Sequence, residues 1–221
     1  MSQPTRDFVT SAPCKTNRSI RVPIVITDMN AGDALWWDVR FGPHHSLMPT
    51  RADRFWLWAT LLPFAHFVQL AQRRFCRPLV IWAEADNGRM LRVGMSIMIE
   101  RYPHLDISDP NEAQFVWFMS VADDRMLTDH FQMSKPPSLA RIHLDAAMVL
   151  SANAGQEGRV DLHAARAGGE DLLSVYLKCG LFNLPARASF PPSVRRRNDG
   201  RFFHTDTQSA ATSMQIHDPY R

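Results

Sequence analysis

Apolar and polar positions alternate along RVPIVIT (21–27), which predicts a strand. The run FWLWATLLPFAHFVQLA (55–71) is apolar for longer than a strand allows. It reads as a buried helix kinked at Pro63, or two helices meeting there, capped by Thr50 or Asp53 and ending near the basic QRRFCR. Two β-rich runs, RPLVIWAEAD (77–86) and RMLRVGMSIMIERY (89–102), flank Asn87-Gly88, a strong hairpin signal. EAQFVWFMSVADD (112–124) has a nearly continuous apolar centre and so predicts a strand buried on both faces. RMLTDHFQMSKPP reads as a loop. Ser138 then caps a helix whose apolar face is Leu139, Ile142, Ala146, Val149 and Leu150, ended by Gly155.

GRVDLHAA (158–165) is the next strand, and EDLLSVYLKCG is the last clear helix, closed by Gly180. A Pro-rich passage and the basic cluster Arg195, Arg196 and Arg197 follow, then a weakly alternating end suited to one or two edge strands. The first 20 residues read as a flexible tail, and residues 21–221 as a single domain with a Pro/Arg-rich C-terminal extension. The element order predicts an α/β fold: a mixed, mainly antiparallel central sheet with helices on both faces.

Composition narrows the function. Of 221 residues, 45% are hydrophobic and 21% charged, so the chain can bury a full core. The formal charge of +3 is too small an excess to point to nucleic acid. Three widely spaced cysteines without a CxxC pair fit a reduced, cytoplasmic chain rather than a disulfide framework or a zinc site. The run at 55–71 falls short of a membrane span.

Several chemistries are absent. There is no GxSxG elbow, P-loop or GxGxxG. Residues 28–39 hold Asp33 and Val39 at the sixth and twelfth positions, where a calcium loop needs Gly and Glu. His44 and His45 read as exposed loop residues, and His143 and His163 lack HExxH context, so no metal is expected. A Cys179 thiolate would be disfavoured at a helix C-terminus.

The unit GRVDLHA…GGEDLLSVYLKCGL, preceded by SLARIHLDAAMVLSANAG, resembles the GCN5-related N-acetyltransferases (GNAT). In that family a strand leads to a helix bearing Tyr, then a basic residue and Gly before an apolar residue. Tyr176, Lys178, Gly180 and Leu181 stand in those places. The resemblance covers about residues 77–185 and implies an acyl-CoA N-acyltransferase fold, with acetyl-CoA or another acyl-CoA as co-substrate and a small-molecule or protein amine as acceptor.

It also implies roles. Met119, Ser120 and Val121 would border the pantetheine slot, and Ser138, Leu139, Ala140 and Arg141 the pyrophosphate site at a helix N-terminus. Tyr176 would protonate the leaving thiolate. The sequence departs from the pattern at QMSKPPSLAR (132–141), which has two prolines and no glycine where the family has a Gly-rich phosphate loop. Lys135, with Ser138 and Arg141, would compensate by side-chain contacts. Gly169 stands where Asn is frequent.

For the base, His163 and Glu100 are the leading candidates beside Glu112 and Asp123. A second reading of the same residues is a catalytically inactive member of the fold that binds a protein or nucleic acid through its arginine-rich tail. C-terminal edge strands would suit a homodimer.

Overall fold

A computed structural model describes residues 6–186, 188–190 and 198–221. Among these residues, eight strands form one sheet in the order β1-β2-β3-β4-β5-β6-β8-β7. They are β1 (Ser11–Pro13), β2 (Arg21–Asp28), β3 (Cys76–Glu84), β4 (Met90–Pro103), β5 (Glu112–Val121), β6 (Val160–His163), β7 (Phe182–Asn183) and β8 (Phe202–His204). Every pairing is antiparallel except β5 with β6. The β3–β4 hairpin turns at Gly88, whose φ of 76° is the left-handed conformation that a tight turn of this kind requires. The mixed sheet expected from the sequence is therefore present, as are its three long strands.

Among the described residues, seven α-helices cover the two faces: α1 (Ala31–Arg40), α2 (Gly42–Ser46), α3 (Trp58–Gln72), α4 (Asp124–Phe131), α5 (Leu139–Asn153), α6 (Gly169–Lys178) and α7 (Thr207–His217). Successive residues of a strand point to opposite faces, so β5 feeds two cores. Phe115 packs in the core that holds Trp37 and Phe41 beside Trp58 and Leu62 of α3. Val116 packs in the other, with Leu144, Ala147 and Met148 of α5 and Ala210 and Met214 of α7. No helix among the described residues is long and apolar enough to cross a membrane.

Four local expectations need correction. Part of the supposed tail is structural: Ser11–Pro13 pairs with β2, and Val9, Ala12 and Cys14 are buried. The supposed loop after β5 contains α4, because Asp123 accepts from the Arg125 and Met126 N–H groups and starts a helix. The apolar run at 55–71 forms α3 only from Trp58. Neither Thr50 nor Asp53 caps it; the Asp38 carboxylate reaches across from α1 and accepts from the Trp58 and Ala59 N–H groups at 2.8 and 2.9 Å. At the C-terminus, where one or two edge strands are expected, β8 lies between β6 and β7 inside the sheet, and helix α7 follows it. Arg195, Arg196 and Arg197 lie outside the described residues.

Candidate active site

The parallel pair β5–β6 is short. Gln114, Phe115 and Val116 face Val160, Asp161 and Leu162, and there the pairing stops. β6 ends at His163 while β5 runs on to Val121, so the last residues of β5 have no strand beside them on that edge. Separating parallel strands opens a wedge in the middle of the sheet. A cavity of about 810 Å³ occupies it, with Val116 and Leu162 in its lining.

A bulge shapes one wall. Met98 faces Val116 and the next β4 pair, Ile97, faces Phe118, so Trp117 is the extra residue. A bulge re-aims side chains. Trp117 and Phe118 accordingly both pack against the α1–α3 core and both line the cavity.

The opposite end is polar. Ser138, Leu139, Ala140 and Arg141 line the cavity at the start of α5, where helical N–H groups have no intrahelical partner. Ser138 makes no capping side-chain hydrogen bond, contrary to expectation. Arg141 donates to the Lys178 carbonyl at 2.8 Å, joining the first turn of α5 to the last of α6, and Lys178 also lines the cavity. Lys135, expected there, is exposed and is not in the lining. Lys15 lines the cavity: its backbone N–H donates to Pro136 O at 2.9 Å, which ties the segment after β1 to the loop before α5, and its ammonium pairs with Asp124.

Tyr176 is buried and lines the cavity from α6. Burial, reinforced by Cys179 and the Asp53 carboxylate, pushes its phenol well above the ordinary tyrosine range, so it stays a proton donor at any physiological pH. Met119 and Val121 line the cavity, whereas the Ser120 side chain turns out of it and donates to Asp53. His163 lines the cavity with Nε2 3.1 Å from Asp199. Glu100 does not: it sits on β4 beside Arg77 at 3.9 Å, away from the lining. Glu112 and Asp123 are absent from the lining as well.

The sequence reading missed a buried network on the cavity wall. Arg51 grips Asp53 through two hydrogen bonds of 2.8 and 2.7 Å and donates to Val121 O at 2.7 Å. Burial works to raise the Asp53 carboxyl, but Arg51, His45 and the Ser120 hydroxyl outweigh it and hold the group below the usual range. His45 lies 3.5 Å from Asp53 and is buried rather than exposed; burial and then Arg51 push its pKa down to about 4. The only sequence signal was a charged pair, Arg51 and Asp53, just before an apolar helix, and that reads as a cap. Among the described residues, no three His, Cys, Asp or Glu side chains gather as metal ligands.

No protein-family model matches the sequence, and no curated protein does either. Solved structures do match in shape. Apo FdhC, described as a nucleotide-linked sugar GNAT, superposes with a TM-score of 0.55 at 8% identity over 97% of this chain and 99% of that one. A GNAT-family acetyltransferase from Staphylococcus aureus Mu50 gives 0.47 at 13% identity, over 83% and 99% of the two chains. Spermidine N-acetyltransferase from Vibrio cholerae, in complex with CoA and spermine, also gives 0.47, at 11% identity over 85% and 98%. With its parting β5–β6 pair and the wedge between them, the chain has the fold of the GCN5-related N-acetyltransferases.

Proposed function

We propose that the protein is an acyl-CoA-dependent N-acyltransferase. The observation that carries this reading is the wedge itself. One cavity runs from an unpaired β5 edge, past a buried protonated tyrosine, to a helix N-terminus flanked by cations. The β5 edge from Met119 to Val121 suits the amide groups of a pantetheine arm, with the Val121 carbonyl already taken by Arg51. The first turn of α5 suits a pyrophosphate through its N–H groups and dipole. Lys15, Arg141 and Lys178 supply the charge that a glycine-free loop with two prolines supplies less well.

The chemistry follows from the side chains. A neutral amine attacks the thioester carbonyl carbon, the C–S bond breaks, and Tyr176 gives its phenolic proton to the departing thiolate. His163 receives the proton lost by the amine, and the Asp199 carboxylate stabilises the resulting imidazolium. With its three cysteines unpaired, the enzyme suits the reducing cytoplasm.

Calorimetric titration with acetyl-CoA tests the reading. Saturable binding that weakens on lowering the cation count with Arg141→Ala, and with rising salt, is the expected result. Absence of binding by acetyl-CoA and by longer acyl-CoAs to folded protein would overturn it and favour the inactive, macromolecule-binding alternative.

A further inference from the structure

The cavity has two chemically different ends, and the end away from α5 bears on the acceptor. Trp56, Trp117 and Phe118 line it where β5 and β6 part. Trp56 meets Phe118 edge-on at 4.9 Å and 87°, Trp117 lies against Phe118 at 4.9 Å, and Phe64 backs Trp117 at 5.4 Å. The bulge at Trp117 is what brings two consecutive aromatic residues of one strand to the same wall.

Charge decides between kinds of amine. Three carboxylates line the cavity, Asp53, Asp124 and Asp171. Asp53 is held by Arg51, and Asp124 by Lys15. Asp171 sits exposed in the first turn of α6. Against them stand Lys15, Arg51, Arg141 and Lys178. Lys15, Arg141 and Lys178 stand at the α5 end, where the pyrophosphate takes up their charge, and with Asp53 and Asp124 already paired a polyamine carrying several positive charges would find only the exposed Asp171 left among the lining carboxylates. An amine with one nitrogen on a flat apolar body would need no such compensation, and its ring would find an aromatic wall.

Resting on the acyl-transfer reading above, we infer that the acceptor is a small primary amine carried on an aromatic body, seated against Trp56, Trp117 and Phe118. Its nitrogen attacks the thioester carbonyl, the thiolate leaves with the Tyr176 proton, and the products are an N-acyl arylalkylamine and free CoA. Trp117 is then a specificity-determining residue.

The test uses the full chain. Thiol release from acetyl-CoA is measured with phenethylamine, spermidine and glucosamine as acceptors. Phenethylamine binding is measured separately by calorimetry without CoA. The expected result is a kcat/KM for phenethylamine about tenfold or more above that for spermidine. Trp117→Leu should raise the phenethylamine KM by about tenfold, and Trp117→Phe should restore most of it. Trp56→Leu gives the same readout should Trp117→Leu fail to fold. Acetyl-CoA affinity, set at the other end of the cavity, should hold in each variant. Preference for spermidine or glucosamine, or a phenethylamine KM indifferent to both leucine variants, overturns the aromatic acceptor while leaving acyl transfer standing. Failure of acetyl-CoA to bind overturns acyl transfer itself. The absence of saturable phenethylamine binding overturns the inference whatever CoA does.

Discussion

At the scale of single residues, burial sets the protonation states that matter. Burial among apolar side chains keeps the Tyr176 phenol neutral but makes it a weaker acid, so it can give up its proton only as the thiolate charge develops beside it. Tyr176→Phe should lower kcat by about a hundredfold and leave acetyl-CoA affinity unchanged, compared by steady-state rates and calorimetry. His143 shows burial without a function to serve. Its ring lies in the core against Gly94 and the Ser120 backbone, and burial pushes its pKa down to about 3 from an ordinary 6.5. The native state therefore binds fewer protons at this site than the unfolded chain between those values, and the stability from a neutral His143 is lost as pH falls below 6.5. The slope is about 1.4 kcal/mol per pH unit. His143→Gln should flatten the fall in Tm between pH 6.5 and 4 relative to the parent protein. The same packing makes Gly94 irreplaceable. A Cβ there would lie 2.3 Å from Nε2 of a ring with nowhere to turn, and Gly94→Ala should cost about 2 kcal/mol in urea unfolding.

At the scale of elements, local signals and long-range contacts divide what could be read from sequence. β3 and β4 were legible because long β-rich runs flank a turn dipeptide, and β5 because its centre is almost continuously apolar. The helix that bears Tyr176 was legible because Gly168-Gly169 and Gly180 bound it, which is local information. The bulge at Trp117 was not, since it exists only in the register between β4 and β5. Lys15 and Asp124 are 109 positions apart, and Ser120 and Asp53 are 67 apart, so no periodicity connects them. The cap of α3 belongs to this class: Asp38 is 20 residues upstream of the N–H group it accepts from. Asp38→Ala removes two capping bonds from a helix that starts without a side-chain cap of its own. It should lower stability by about 1 kcal/mol, read as a shift in the urea midpoint with an unchanged m-value.

At the scale of the whole molecule, the two ends of the described chain are fastened together beside α5. Thr10 N–H donates to Tyr220 O at 2.8 Å, and Arg221 donates to Asp7 O at 2.6 Å. The anchor is Asp145, on the buried face of α5, which takes two hydrogen bonds from Arg221 at 3.1 and 2.7 Å and has His217 at 3.5 Å. This fastening also bears on the site, because the segment it holds against the sheet is the one that brings Lys15 to the cavity. Burial raises the Asp145 carboxyl, and Arg221 only partly offsets that. Arg221→Ala would leave the buried carboxylate with His217 at 3.5 Å and the weaker pull of Arg6, which costs about 3 kcal/mol at pH 7. A carboxyl whose folded pKa lies above its unfolded one binds a proton more readily when folded, so the deficit should shrink as pH falls through the raised pKa. Asp145→Asn in the Arg221→Ala background removes the stranded charge and should recover part of the loss. The remainder reports the other Arg221 bonds, to the Asp7 and Met214 carbonyls and the Asp218 carboxylate. A double-mutant cycle run at two pH values separates these contributions. A deficit that stays constant with pH would show that Arg221 holds the ends together through those other bonds and not through the buried charge.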